Sequence, residues 1–177
     1  MIHQKTWHTS PLIPEDLILA KEMVYDVCNL ECSNPEAEPE STDYSAYRFS
    51  INEKSICYRI AKTTPTKNGQ FVTLWKRNSS GIIEPFESSD VIDFVIVSVR
   101  KENNFGQFIF PKSVLLEKGI FSTPKKEGKR ATRVYPSWDT TTSKQAQKTQ
   151  EWQLNYFLDL TDKESAVLKT KLVFGIQ

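Results

Sequence analysis

The chain has 177 residues and a formal net charge of +1, with 38% hydrophobic, 11% aromatic and 25% charged residues. That length fits one domain over 1–177, and the aromatic share offsets the lean apolar content, since each buried ring removes about 150–250 Å² from water. The composition excludes wholesale disorder, and no run reaches the roughly 18 apolar residues of a membrane span, so no membrane partner is expected.

Residues 1–13 read as irregular, and Pro11, Pro14 and early acidic residues argue against a secretory signal peptide. The three cysteines do not form an evident disulfide framework; a reducing, cytoplasmic setting is expected. Pro14 with Glu15 and Asp16 marks a helix start, and Leu17, Ala20, Val24, Val27 and Cys28 recur at helical spacing, predicting a helix over Glu15–Leu30. The Pro- and acid-rich segment Ser33–Asp43 reads as a connection. Tyr44–Ile51 and Ser55–Ala61 flank a tight turn and predict a hairpin. Asn68-Gly69 predicts the next turn, leading into a strand over Gln70–Arg77.

Asp90–Arg100 holds the most apolar run and predicts a central strand. Asn103–Gly106 turns the chain into a strand over Gln107–Phe110. Pro111 opens a short helix, Lys112–Lys118, closed by Gly119. A strand is expected at Thr132–Tyr135, then a loop at Pro136–Asp139. A long helix over Thr142–Leu160 follows, capped by Asp139 or a following Thr, with Ala146, Thr149, Gln153, Tyr156, Phe157 and Leu160 inward. Thr161-x-x-Glu164 matches a capping box for a last helix. The class is α+β, a mixed β-sheet flanked by helices. Gly69-Gln70-Phe71-Val72 and Gly106-Gln107-Phe108-Ile109 echo each other as similar strand starts.

Charge is segregated along the chain. Glu15–Lys54 carries ten acidic and three basic residues, whereas Ser55–Gln150 carries sixteen basic and eight acidic. Such blocks suit a polyanion-facing surface if folding gathers them, and a scattered solvated surface if it does not. Lys62, Lys67, Lys76 and Arg77 bracket Phe71 and Trp75. Lys129, Arg130 and Arg133 lead into Tyr135, Trp138 and then Lys144, Gln145 and Gln147. Cations for phosphates, rings for stacking and amides for base or sugar edges are the ingredients of nucleic-acid binding. Trp138, in a loop beside Pro136, is the expected partly exposed aromatic; Trp75, Tyr135 and Trp152 read more readily as core or wall.

Catalytic signals are sparse. No glycine loop has phosphate-binding spacing, and the only histidines, His3 and His8, sit at the start of the chain. Cys28 and Cys32 lie four apart but lack two further zinc ligands. Asp90 and Asp93 at the mouth of the apolar strand are the candidate Mg²⁺ ligands, with Lys112 to stabilise phosphoryl charge. The alternative reading is that Asp90 caps a turn and Asp93 faces solvent.

Three segments carry a resemblance: AKTTPTKNGQFVTLWKR (Ala61–Arg77), NFGQFIFPKSVLLEKGI (Asn104–Ile120) and GKRATRVYPSWDTTTSKQAQKTQEWQLNYF (Gly128–Phe157). They resemble the MepB family of bacteria, named from an operon shared with a multidrug efflux pump. The resemblance implies a restriction-endonuclease-like, PD-(D/E)XK fold. That motif asks for an acid followed two residues later by lysine. Here Gln107 stands where the acid belongs, and Lys112 arrives only after Pro111. The expectation is a nucleic-acid-binding protein with a nuclease-like core, DNA being expected over RNA. An active Mg²⁺-dependent nuclease, and a pocket protein for a nucleotide or nucleoside-like toxic small molecule, are the alternatives.

Overall fold

The computed structural model describes Trp7 and residues 12–177; the expectations for His3, His8 and most of 1–13 lie outside them. The first helix, α1 (Glu15–Ala20), has Pro14 at its N-cap and passes into a π-helical turn, Lys21–Tyr25. The helix stops well before the predicted Leu30. Asn29, at φ 55°, reverses the chain, and the Leu30 amide bonds back to the Tyr25 carbonyl. Cys28 and Cys32 therefore share no helix face. The acidic connection is not featureless either: Glu36–Ala37 forms β1, paired antiparallel with β2 (Tyr47–Ile51).

The strand β3 (Lys54–Ile60) completes the predicted hairpin. Next come β4 (Lys62–Thr64) and β5 (Lys67–Thr73), joined through Pro65 and Thr66. Asn68-Gly69 lies inside β5 rather than at the turn. Gly69 takes φ +74° beneath the Tyr135 ring, where a Cβ would come within 2.5 Å of Cε1. The predicted strand Gln70–Arg77 is broken at Leu74, whose amide bonds to the Arg130 carbonyl. Beyond the break, β6 (Trp75–Arg77) pairs with β7 (Ile83–Pro85) in a separate ribbon.

The apolar run forms β8 (Phe94–Lys101), followed by β9 (Asn104–Pro111) and α2 (Lys112–Glu117). The next elements are β10 (Ala131–Val134) and α3 (Lys144–Gln153), capped by Ser143, which accepts from the Ala146 amide. The predicted helix to Leu160 ends early: a 3₁₀ turn at Leu154–Tyr156 leads into β11 (Phe157–Asp159). Pairing decides this, because β11 closes the sheet edge against β9 and its Phe157 ring covers Gly106, where a Cβ would lie 2.5 Å away. The last helix is α4 (Lys163–Val173), capped by Asp162 and not by Thr161, whose hydroxyl donates to Asp159.

The main sheet is mixed, in the order β1-β2-β3-β8-β9-β11, with β3 and β8 parallel. The parallel step requires a crossover, and that crossover carries β4 to β7. A second sheet, β10-β5-β4, lies over one face of the main sheet. Helices α1 and α4 cover the other face, packing on Ile56, Tyr58, Ile96 and Ile109. Between the layers Val95, Val97 and Val99 alternate with Ile96 and Ser98, so β8 is buried on both faces. The architecture is an α+β mixed sheet flanked by helices. Among the described residues no helix is long and apolar enough to cross a membrane.

Candidate functional site

The outer sheet turns one face inward and one outward. Gln70, Val72 and Val134 are buried against the main sheet, while Phe71 and Arg133 face outward as a direct cross-strand pair, with Lys62 opposite Phe71 on the other side. Arg133 lies 5.8 Å from the Phe71 ring centroid and donates to Thr64 Oγ1 at 2.8 Å and to the Asn68 carbonyl at 3.3 Å. No carboxylate neutralises it among the described residues. Lys62 sits 5.2 Å over Tyr44, which packs on Phe71.

A cleft of about 440 Å³ opens between this face and α3. Lys67, Lys118, Lys129 and Arg133 line it, with Phe71, Tyr135 and Trp152 as its aromatic surfaces; among the described residues no Asp or Glu contributes to the lining. Ser143 starts α3 at the cleft, so the positive end of the helix dipole adds to the same field. A second hollow, about 360 Å³, continues along α3 past Lys144 and Lys148.

Two glutamines fix the α3 wall. The fully buried Gln153 amide donates to the Arg133 carbonyl at 2.9 Å and accepts from the Tyr135 amide at 2.8 Å. It thus occupies the free edge of β10 as a neighbouring strand would. Gln150 donates to the carbonyls of Pro136 and Asp139, both at 2.9 Å.

Of the residues predicted to bind, folding brings Lys67, Lys129, Arg133 and Lys144 to these two concavities, with Lys62 on the same outer face. Others are engaged elsewhere. Lys76 is ringed by Asp90 at 2.8 Å, Glu87 at 3.3 Å and Glu84 at 3.6 Å. Burial works against its charged form, but the Asp90 and Glu87 carboxylates outweigh burial and hold its pKa above the ordinary value. Arg77 pairs with Glu40, and Arg130 with Glu127. Trp138 is half-buried, edge-on to Phe157 at 5.4 Å, with its Nε1 buried and unbonded. Gln147 reaches the Thr141 carbonyl at 3.4 Å and lines neither concavity. Gln145, singled out in the sequence with Lys144, lines both concavities, whereas Lys118 and Lys148 are lining residues that sequence reasoning does not single out. The spacing of Gln145, Thr149 and Trp152 along α3 was the signal that could have found that face.

Asp90, Asp93 and Lys112 do come together. Lys112 Nζ donates to the Asp90 carbonyl, and its amide donates to the Asp93 carbonyl at 3.0 Å. The side chains, however, serve the backbone and each other. Asp90 accepts from Lys76 and, at 2.8 Å, from the Glu87 amide; Asp93 accepts from the Ser55 amide at 2.8 Å. A Mg²⁺ ion at Asp90 would have to displace the Lys76 ammonium, so this donor set fits an ion-pair network better than a hard-cation site. At Gln107, the position where a nuclease acid would stand, the amide is fully buried. It accepts from Tyr25 Oη at 2.5 Å and donates to Ser98 Oγ at 3.0 Å, and Ser98 in turn meets Tyr58 Oη at 2.6 Å.

The MepB-like family model matches residues 38–159, which span β2 to β11, the outer sheet and α3. The chain belongs to the MepB-like family. A solved structure, described as the crystal structure of MepB, is similar at 37% identity and a TM-score of 0.73, covering 82% of this chain and 97% of that one. No curated protein matches. The MepB-like region therefore contains every described lining residue of the cationic cleft as well as the Lys76–Asp90 network.

Proposed function

We propose that this MepB-like protein binds nucleic acid through the cleft between the outer sheet and α3. The observation that carries the reading is the lining itself: Lys67, Lys118, Lys129 and Arg133 around three aromatic rings, with no carboxylate among the lining residues. A chain of net charge +1 has no general excess of cations to place there. The concentration is local, and a local cationic groove attracts a phosphate backbone. The rings and the Gln145 and Thr149 side chains add stacking surfaces and hydrogen-bonding groups. The mixed sheet flanked by helices is compatible with the restriction-endonuclease-like core that the family resemblance implies, and that finer assignment is part of the proposal. Catalysis is not, since the candidate acids hold backbone amides and Lys76.

Anisotropy titration of labelled DNA tests the reading. Binding should weaken as salt rises, and Lys129→Ala with Arg133→Ala should weaken it across all sequences alike. The same samples with Mg²⁺, run on a gel, test cleavage; metal-dependent fragments lost in Asp93→Ala would restore the nuclease reading. A mononucleotide that raises Tm while DNA does not would instead point to a nucleotide pocket.

A further inference from the structure

Gln145, Thr149 and Trp152 lie on one face of α3 and line both concavities at once, the cleft of about 440 Å³ and the hollow of about 360 Å³. The α3 face is thus a ridge between two depressions and not the end wall of one. Its crest bears the half-buried Trp152 ring, with the Lys118 ammonium 5.7 Å from the centroid. On the near side stand Lys129 and Arg133, on the far side Lys144 and Lys148.

Charge alone would serve a duplex, which offers phosphates on its outside and keeps its base faces covered by neighbouring bases. A ring on a protein ridge cannot stack on faces that neighbouring bases already cover. It can reach the unstacked bases of a single strand, for which rings along a cationic groove form a stacking platform. We propose, on the nucleic-acid reading above, that the α3 ridge selects single-stranded nucleic acid. The strand crosses the ridge, a base stacks against Trp152, and phosphates on either side meet Lys129 and Arg133 or Lys144 and Lys148.

The test compares a labelled oligo-dT of about a dozen nucleotides with its duplex at equal salt. The single strand should bind more tightly. Trp152→Leu should lower single-strand affinity roughly 5- to 150-fold, the worth of about one stacked base, and change duplex affinity by less than about twofold. Trp152 also packs on Phe110 at 5.5 Å, so Tm is measured alongside. A second variant, Lys144→Glu with Lys148→Glu, alters only exposed positions and should lower single-strand affinity at unchanged Tm. Equal or tighter duplex binding overturns the proposal, as does a folded Trp152→Leu that weakens both forms alike or neither. So does single-strand binding indifferent to the double glutamate variant. No binding of either form at low salt overturns the nucleic-acid reading itself.

Discussion

Lys76 donates to the Asp90 carboxylate at 2.8 Å, so a candidate phosphate ligand and a candidate catalytic acid are each other's partners. The pair ties the β6–β7 ribbon to the segment entering β8. Both side chains are about one-fifth exposed, which screens the attraction. Asp90→Ala should cost about 1–2 kcal/mol, because the Glu87 amide loses its acceptor as well. Lys76→Ala should cost less. Neither should change DNA affinity beyond the loss of one general charge. Urea denaturation and anisotropy on the same preparations check this.

The Glu38 carboxylate is forked between Arg48, at 2.5 Å, and Arg59, whose side chain is almost wholly buried and also donates to the carbonyls of Tyr58 and Thr73. The acidic connection is thereby pinned to β3 and β5. Arg59→Ala takes one of the two arginines from Glu38, leaving Arg48, empties a buried position and should cost about 3 kcal/mol. Glu38→Gln keeps the shape and one acceptor, and should cost about 1–3 kcal/mol. Chemical denaturation midpoints should rank the two variants in that order.

Gln153 supports the cleft from behind without lining it. Gln153→Ala would leave the Arg133 carbonyl and the Tyr135 amide unpaired, at about 1–3 kcal/mol for each unmade bond. Because those two residues line the cleft, DNA affinity should fall along with Tm. Gln153→Glu should be worse than its size suggests: one carboxylate oxygen still accepts from Tyr135, and the other faces the Arg133 carbonyl. Thermal unfolding and DNA titration of both variants report the two effects.

Stability should fall at alkaline pH. Burial raises the Cys32 thiol from 9.0 to about 12, and raises Cys57, Tyr25 and Tyr58 as well. For a group whose folded pKa lies above its unfolded value, the stabilisation is complete below the unfolded pKa. It is lost as pH rises towards the folded one. The window therefore opens near the ordinary thiol value of 9.0 and extends to about 12. Tm should decline steadily from pH 9 upward. At neutral pH a thiol reagent should label Cys57 only after denaturant is added.

Much of the frame was legible because periodicity and turn chemistry act locally. The β2–β3 hairpin, the apolar β8 and the Pro111-initiated α2 follow from residues adjacent in sequence. The failures come from long-range partners. Phe157 belongs to a helical pattern until β9 offers it an edge, and Leu74 ends β5 because Arg130 supplies the acceptor. The echo between Gly69-Gln70-Phe71 and Gly106-Gln107-Phe108 turned out to have a physical basis. In each, glycine lies beneath a cross-strand ring, Tyr135 or Phe157, and the glutamine is buried and bonded. At the candidate site the cationic blocks were visible, but which cations remain unpaired was not. Lys76 meets Asp90 14 positions on and Arg77 meets Glu40 37 positions back, and sequence order carries no record of such pairings.

The most direct test of the account is the salt dependence of DNA binding by the purified protein. With about four to six cations meeting the phosphates of a single strand, affinity should fall roughly 50- to 350-fold between about 50 and 200 mM salt, and Lys129→Ala with Arg133→Ala should flatten that dependence. Absent binding at low salt, or binding indifferent to salt and to these two residues, would contradict it.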